Sequence, residues 1–186
     1  MRNESELARI EKAVQGHMPS FEGLVKEHQV SVLRYLRAIL KNPADAEDAF
    51  QQTFLIVYQK LQTFQGNSSL RTWIFTIAKR NALGIIRKES SHTTKKQSLM
   101  ELGLEAGWSS DQPDLAAQKA QSKKLLERAL AALKPDYREI LVLRELESMS
   151  GEETAKILEL TIPAMKTRLH RARLALAARL RKEVEV

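Results

Sequence analysis

The stretch that decides the fold is residues 150–173, which read SGEETAKILELTIPAMKTRLHRAR. Ser150 and Glu153 have the spacing of a capping box, in which the hydroxyl and the carboxylate each satisfy a free backbone N–H group at the start of a helix. The pattern predicts a short helix from there, a tight turn near residues 159–161, and a second helix. Pro163 suits the first turn of that second helix, because the N–H group it lacks would have no partner there.

The predicted second helix is strongly basic. It contains no acid before Glu183, whereas a helix face that merely meets water normally carries both signs of charge. Side chains three and four positions apart are neighbours on a helix, so one face collects several polar side chains. They are Lys166, Thr167, His170 and Arg171, with Arg168 and Arg173 further round and within reach of flanking phosphates. A basic second helix after a short turn fits the major groove of DNA. We therefore predict duplex DNA as its partner, the alternative being a helical hairpin whose charges are only solvated.

Composition narrows the class of protein. The chain has 186 residues and a formal net charge of +7, which allows one or two domains and favours polyanionic partners such as nucleic acid. It contains no cysteine, so disulfides, thiol catalysis and cysteine-ligated zinc are excluded, and a cytoplasmic location is expected. No apolar run approaches the roughly 18 residues that would span a bilayer, and the polar N-terminus lacks the apolar segment of a signal peptide. We predict no membrane insertion.

The rest of the sequence predicts an all-α fold. Glycines number only seven, alternating β-branched runs are few, and apolar residues recur at helical spacing. Three amphipathic helices in the N-terminal half can close a bundle. Asn42-Pro43 separates the first two, since the residue before proline leaves the helical region, and a polar loop at residues 64–69 separates the next two. Further on, Lys134-Pro135-Asp136 divides two more helices that precede the helix-turn-helix.

Two small helical domains are predicted, joined by a linker. Residues 91–114 have no sustained period and are too long for a structureless loop inside a compact domain, although their apolar residues suggest that this linker docks. We place the domains at residues 1–90 and 115–186.

A polar loop followed by a basic helix is the second candidate for DNA binding. Cationic tracks and aromatic faces hold single-stranded DNA, and Asn and Ser side chains can hold an unpaired base by its edge. The candidate residues are Gln65, Gly66, Asn67, Ser68 and Ser69 of the loop and Arg71, Trp73, Lys79, Arg80 and Asn81 of the helix. For Trp73 alone, a place in the hydrophobic core is the favoured interpretation.

An acidic group, Asp45, Glu47 and Asp48, begins the second predicted helix. Carboxylates in a first helical turn are favoured by the helix dipole, which explains them better than a metal site does. A docking surface for a basic protein stays open, because the same exposed side is extended by Gln51, Gln52 and Leu55.

Catalysis is not predicted. The four histidines, His17, His28, His92 and His170, are scattered, with no nucleophile or carboxylate at an informative spacing, and no glycine loop for phosphate occurs. His28 lies on an apolar stripe and is expected to be a buried histidine with satisfied hydrogen bonds. We predict no catalytic residue, no metal and no cofactor.

Two segments of the chain resemble a known family. DAEDAFQQTF at residues 45–54, FQG at 64–66 and TWIFTIA at 72–78 resemble conserved region two of bacterial sigma factors of the sigma-70 family, closest to the small extracytoplasmic-function (ECF) type. ALAALKPDYR at 129–138, LRELE at 143–147 and KTRLHRAR at 166–173 resemble region four of the same group. The two matches cover most of the chain, in the right order and with a linker between them.

The resemblance implies a protein that binds core RNA polymerase and directs promoter-specific transcription initiation. It implies that the loop at residues 65–69 takes a flipped base of the minus-ten element, beside DNA that Lys79, Arg80 and Asn81 line. It also implies an anti-sigma partner. Lys166, Thr167, His170 and Arg171 would read the minus-thirty-five element, with Arg171 as the first candidate for a bidentate guanine contact. The polymerase-binding surface would comprise Asp45, Glu47, Asp48, Gln51, Gln52, Phe54 and Leu55.

The sequence departs from the family in the turn of the helix-turn-helix. Glu159 stands where the family usually has Gly, so it is expected to adopt a left-handed conformation at some cost. Pro163-Ala164 stand where the family has a Gly-Thr pair, so Ala164 lacks a hydroxyl that could hold a phosphate. The alternative function is a conventional helix-turn-helix regulator whose N-terminal bundle senses or dimerises. An enzyme or a membrane-surface protein is supported only by charge.

Overall fold

The computed structural model describes residues 2–40, 42–92 and 113–184, and every regular element in that part of the chain is helical. The predicted all-α fold is therefore confirmed. None of the described helices is long and apolar enough to cross a membrane. The α-helices are α1 (Arg2–Val14), α2 (Met18–Ile39), α3 (Pro43–Lys60), α4 (Leu70–His92), α5 (Pro113–Ala131), α6 (Pro135–Leu141), α7 (Gly151–Leu158) and α8 (Ile162–Val184), with a 3-10 turn (Leu61–Thr63) after α3 and a π-helical turn (Val142–Leu146) after α6.

The helix boundaries follow the local signals in the sequence. Asn42 caps α3 by accepting a hydrogen bond from the Ala44 N–H at 3.0 Å, and Pro43 lies in the first turn. Pro135 likewise lies in the first turn of α6, where proline needs no hydrogen-bond partner. The breaks predicted at Asn42-Pro43 and Lys134-Pro135 are both confirmed.

Two features lie outside what the sequence predicts. The N-terminal helix α1 is polar overall, but Ile10 and Ala13 bury one side of it, and it packs on α2. Helix α4 continues to His92, beyond the predicted domain boundary at residue 90. Residues 93–112, most of the predicted linker, lie outside the described residues.

Helices α1–α4 form a first bundle and α5–α8 a second, each with its own buried side chains. In the first bundle α2 and α4 supply the largest of them, Tyr35 and Phe75, which are both 0% exposed. In the second, Ile140 of α6 and Ile157 of α7 are fully buried beneath α8. Burial of side chains of this size contributes roughly 1.5–3 kcal/mol each, and the buried side chains of the two bundles form one hydrophobic cluster.

The two bundles are in contact along a seam, which comprises α2 and α4 on one side and α6, the π-helical turn and α7 on the other. The rings of Tyr35 of α2 and Phe75 of α4 lie 5.2 Å apart and are both fully buried. The Tyr35 hydroxyl donates to Glu139 Oε1 at 2.7 Å, and Arg138 Nη1 donates to the Ala38 carbonyl oxygen at 3.1 Å. The sequence predicts the two bundles but not this contact between them.

Candidate nucleic-acid interface

The helix-turn-helix has the local geometry that the sequence predicts. Ser150 Oγ accepts from the Glu153 N–H at 3.1 Å, and a Glu153 carboxylate oxygen accepts from the Ser150 N–H at 2.9 Å, so the capping box is complete. Glu159 ends α7 in the left-handed region, with φ 56° and ψ 44°. The Leu160 N–H then donates to the Ala155 carbonyl at 2.9 Å. This closes the turn and sends the chain into α8.

Helix α8 presents the predicted polar face to solvent. Met165, Leu169 and Ala172 are its buried side and hold it against the second bundle. Among the described residues, none forms a hydrogen bond or an ion pair with the side chains on the outer face. Those side chains, all exposed, are Lys166, Thr167, His170 and Arg171. The shared face is thus confirmed, and its two cations are available to a ligand.

The two arginines further round α8 have partners within the second bundle. Arg173 forms a hydrogen-bonded ion pair with Glu145, at 2.7 and 2.9 Å. Arg168 is partly buried and lies 3.9 Å from Asp136. Both arginines therefore have to exchange or share an acidic partner before they bind a phosphate.

The loop of residues 65–69 is largely exposed and is shaped by its own contacts. Gly66 has φ 71°, a left-handed conformation that glycine adopts without steric cost. Asn67 Nδ2 donates to Gln65 Oε1 at 3.2 Å, and the Ser69 hydroxyl lies 2.8 Å from that of Thr72 at the start of α4. Ser68 is half-buried. The loop can be reached from solvent, as a base-binding loop requires.

The predicted DNA-facing residues of α4 differ in what surrounds them. Trp73 is partly buried and packs on the Phe64 ring at 5.4 Å between centroids, in agreement with its interpretation as a core residue. Asn81 donates to Thr53 Oγ1 at 3.1 Å and so supports the contact of α4 with α3. Lys79 is partly buried beside Glu139.

Two arginines of α4 are paired with acids of the second bundle. Arg71 Nη2 donates to Glu147 at 2.7 Å, and its guanidinium lies 5.5 Å from the centre of the Phe75 ring. Arg80 lies 3.6 Å from Glu159, with both side chains largely exposed. No sequence signal predicts these ion pairs, because their partners are far apart in the chain.

The acidic start of α3 forms one wall of an open groove of about 970 Å³ between α3 and α4. Asp48, Gln51, Gln52 and Leu55 are exposed, Asp45 is half-buried, and Glu47 accepts from Arg37 at 2.7 Å. The opposite wall includes Arg80, Asn81 and Lys88. The groove thus has an acidic side and a basic side.

Phe54 corrects the prediction for this surface. Its side chain is only 8% exposed and packs edge to face on Phe50, 5.0 Å between ring centres. It lies on the apolar stripe of α3, which turns towards the core. Phe54 therefore supports the acidic surface from beneath and does not form part of it.

His28 is buried as predicted, but its hydrogen bonding is not satisfied. The side chain is 5% exposed, and Nε2 has no hydrogen-bond partner among the described residues. Burial lowers the pKa of His28; Glu27 opposes this shift, while Arg71 and Arg9 add to it. The imidazole also lies within 4.8 Å of the carboxylates of Glu6 and Glu27, a set that could hold a metal ion, although Glu27 already pairs with Arg9 at 2.9 Å.

Comparison with known proteins assigns both bundles. Residues 24–92 match the family model for Sigma-70 region 2, and residues 123–176 match that for Sigma-70, region 4. RNA polymerase sigma factor YlaC of Bacillus subtilis is 31% identical over 169 residues, 91% of this chain and 96% of that protein. ECF RNA polymerase sigma factor SigW of the same organism is 26% identical over 93% of this chain and 95% of that protein.

A solved structure supports the fold. Sigma factor RpoE of Bartonella quintana, in complex with the anti-sigma factor NepR, superposes with a TM-score of 0.63 at 24% identity, over 89% of this chain and 98% of that one. Both regions are thus matched in the order in which the two bundles occur. The chain belongs to the sigma-70 family of RNA polymerase sigma factors, in its extracytoplasmic-function group.

Proposed function

We propose that this sigma factor reads the minus-thirty-five duplex with the exposed face of α8 and captures the melted minus-ten strand with the loop at residues 65–69 and the basic face of α4. The observation that carries the first role is a pair of exposed cations, Lys166 and Arg171, which have no partner among the described residues and lie on a helix that follows a closed turn. Arginine in the major groove can make a bidentate contact to guanine. Thr167 and His170 lie between the cations and supply further hydrogen-bonding groups.

Capture of the melted strand needs no chemistry by this chain. Flipping a base out of the stack costs a few kcal/mol. Contacts of the flipped base and its strand with polar groups of the loop and with cations can offset this cost. These contacts come from the exposed amide groups of Gln65 and Asn67 and from the cations of α4. We infer that the protein acts as a binding and positioning factor in the cytoplasm, where transcription takes place, and that polymerase performs the catalysis.

The exposed part of the acidic surface on α3 is the proposed site for core polymerase. Asp48, Gln51, Gln52 and Leu55 form a continuous exposed strip along the helix, and a partly apolar, partly acidic strip suits a basic helical partner. Phe54 fixes this strip through its packing on Phe50.

An anti-sigma factor is the proposed regulatory partner. The support comes from the Bartonella quintana sigma factor of the same fold, which forms a complex with the anti-sigma factor NepR. Co-purification with a tagged copy of this chain from its native host, followed by mass spectrometry, tests the proposal. Recovery of polymerase subunits alone, under inducing and non-inducing growth, would contradict it.

Reconstituted transcription tests the proposed function as a whole. The purified chain is combined with bacterial core polymerase and a library of promoter DNA, and the transcripts are sequenced from their 5′ ends. We expect start sites that appear only when this chain is added. A folded chain that gives no such start site, but binds duplex DNA equally well without polymerase, would instead be a conventional helix-turn-helix regulator.

A further inference from the structure

A histidine and two glutamates meet where α1 packs on α2, away from the surfaces proposed for DNA and polymerase. A ring nitrogen of His28 and one carboxylate oxygen each of Glu6 and Glu27 all lie within 4.8 Å of one another. Glu6 comes from α1, and the other two are adjacent residues of α2. The sequence does not predict this group, because Glu6 lies on a helix that the sequence does not predict.

His28 is the member of this group that points to a ligand. Its side chain is only 5% exposed, and Nε2 has no hydrogen-bond partner among the described residues. A buried polar atom without a partner is uncommon in folded proteins and indicates a bound water or ion. Burial also lowers the pKa of His28, which favours the neutral ring, and a metal ion binds the neutral ring.

Two arginines near the group oppose a cation, but both already have an acidic partner. Arg9 pairs with Oε2 of Glu27 at 2.9 Å, with both side chains exposed, and exposed ion pairs contribute little. A carboxylate has two oxygens, so Glu27 can keep Arg9 on one and bind an ion with the other. Arg71, whose charge also reaches His28, is paired with Glu147 at 2.7 Å. The group therefore keeps a net negative charge when the imidazole is neutral.

We propose that Glu6, Glu27 and His28 bind a divalent transition-metal ion of the Zn²⁺ class, which fastens α1 to α2. Imidazole nitrogen and carboxylate oxygen are both ligands of Zn²⁺, and water can take the fourth position of a tetrahedral site. Mg²⁺ and Ca²⁺ prefer oxygen ligands alone. Ligands about 2.1 Å from a tetrahedral ion lie about 3.4 Å apart, so small side-chain rotations of the two glutamates suffice to close the group.

This inference goes beyond the proposed function, because none of the three ligands belongs to the DNA or polymerase surfaces. Residues 24–92 match Sigma-70 region 2, so Glu27 and His28 lie inside the matched part of the chain and Glu6 lies ahead of it. Ile10 and Ala13 are the buried hydrophobic residues of α1 in the part of it that the structure describes. A metal bond to Glu6 therefore adds to a small apolar contact.

Zinc binding by ligand variants is the first test. The full chain, without a purification tag and freed of metal with a chelator, is titrated with Zn²⁺ in a calorimeter at about pH 7, where an ordinary histidine is largely neutral. Glu6→Gln and Glu27→Gln keep the shape of each side chain but remove its charge. The matched controls are Glu11→Gln and Glu22→Gln, which remove an exposed carboxylate from the same two helices.

We expect each ligand variant to bind Zn²⁺ at least about tenfold more weakly than the parent, and each control to stay within about twofold of it. Arg9→Gln should bind the ion at least about threefold more tightly, because it removes a nearby positive charge. Circular dichroism and thermal unfolding without metal verify the fold. Equal affinities of the parent and the ligand variants would overturn the inference, as would unchanged or weaker binding by Arg9→Gln.

Histidine ring signals locate the ion without a change at any ligand, which matters because replacement of the buried His28 can unfold the bundle. The chain has four histidines, so the ring signals of protein labelled at histidine nitrogen are few. They are assigned by replacing His17, His92 and His170 with Gln one at a time. We expect Zn²⁺ to shift the His28 signals and Mg²⁺ to leave them unchanged. Shifts confined to other histidines would mean an adventitious ion only, and this result would overturn the inference, as would no shift.

Hydrogen exchange tests whether the ion fastens α1. At a Zn²⁺ concentration about ten times its measured Kd, opening of a segment that must release the ion becomes about elevenfold less frequent. We therefore expect the amide hydrogens of residues 6–14 to exchange about tenfold more slowly with Zn²⁺ in the parent and at an unchanged rate in Glu6→Gln. Unchanged exchange in a parent that binds the ion would overturn the proposed link between the two helices.

Discussion

The two surfaces proposed to hold promoter DNA differ in what their cations contact in the free chain. On α8, Lys166 and Arg171 are exposed and have no partner among the described residues. On α4, Arg71 and Arg80 are paired with Glu147 and Glu159 of the other bundle. Exposed cations bind DNA by releasing counterions from its phosphates, whereas paired cations must first lose a carboxylate. The same type of side chain is therefore ready for DNA on one surface and held back on the other.

The largest expected effect concerns Arg138, which joins the two bundles and does not contact either DNA surface. Its guanidinium is buried and donates to the carbonyl oxygens of Leu130 and Ala131 at the end of α5, of Leu133 just after it, and of Ala38 across the seam, at 2.8–3.1 Å. Arg138→Met removes all four hydrogen bonds, although the Leu130 carbonyl still accepts from the Leu133 N–H at 3.1 Å. We expect the free energy of unfolding to fall by about 3 kcal/mol. Chemical denaturation followed by circular dichroism measures it.

Arg138→Lys is the matched variant for that experiment. Lysine keeps the charge but lacks the planar fork that reaches several acceptors at once, so an intermediate loss is expected. If the Lys and Met variants lose the same free energy of unfolding, the charge and not the fork would be the missing feature. If neither variant loses stability, the hydrogen bonds of Arg138 contribute nothing net.

The next largest effect concerns the exposed outer face of α8. Arg171→Ala should weaken binding to minus-thirty-five duplex DNA by about 1–3 kcal/mol, the value of a bidentate contact to a base, and should leave core polymerase binding unchanged. The duplex is taken from a start site mapped in reconstituted transcription, and both affinities are measured by anisotropy. Arg179→Ala, an exposed arginine further along α8, is the control. Equal loss of duplex and polymerase binding would refute the assigned role of Arg171.

The two surfaces also differ in how well the sequence predicts them. The helix-turn-helix is predicted well because its signals are local: Ser150 and Glu153 are three positions apart, and Pro163 marks the next helix. The seam is not predicted, because Glu147 finds Arg71 at 76 and Arg34 at 113 positions along the chain. In the sequence Glu147 looks like any acid at the end of a helix, and only the fold shows that it is buried.

At Phe54 the family resemblance and the helical spacing of apolar residues lead to different predictions. The family resemblance implies that this residue belongs to the polymerase-binding surface, whereas the apolar stripe of α3 places it in the core. The structure agrees with the stripe, with Phe54 8% exposed. The sequence does not predict helix α1 for a related reason, since a polar segment gives a weak amphipathic signal even when Ile10 and Ala13 bury one side of it.

A smaller effect on the free energy of unfolding is expected at Glu159, a residue of the strained turn that also contacts Arg80 of α4. Glu159 has φ 56°, which costs a residue with a side chain roughly 1–2 kcal/mol relative to an unstrained conformation. Its contact with Arg80 is exposed and contributes little. Glu159→Gly should therefore stabilise the chain by about 0.5–1 kcal/mol after the entropy cost of glycine, while releasing Arg80. Urea denaturation measures the gain, and a loss of stability would mean that the ion pair with Arg80 outweighs the strain.

The smallest expected effect is a pH dependence of the stability, caused by the buried carboxyl of Glu139 in the seam. Burial raises the pKa of Glu139 above its ordinary value of 4.5; Lys79, the Tyr35 hydroxyl and Arg168 oppose this shift, and Asp136 adds to it. A carboxyl whose pKa is higher in the folded chain than in the unfolded chain stabilises the fold fully at pH values below its unfolded-state pKa. This stabilisation is lost as the pH rises through the folded-state pKa. Glu139→Gln does not titrate, and its side-chain oxygen can still accept from Tyr35. We therefore expect the variant to gain stability relative to the parent as the pH rises above 4.5. Unfolding measured from about pH 4 to about pH 8, that is, upwards from the ordinary range of a carboxyl pKa, tests this. A difference that does not change with pH would show that Glu139 is not held in the seam of the free chain.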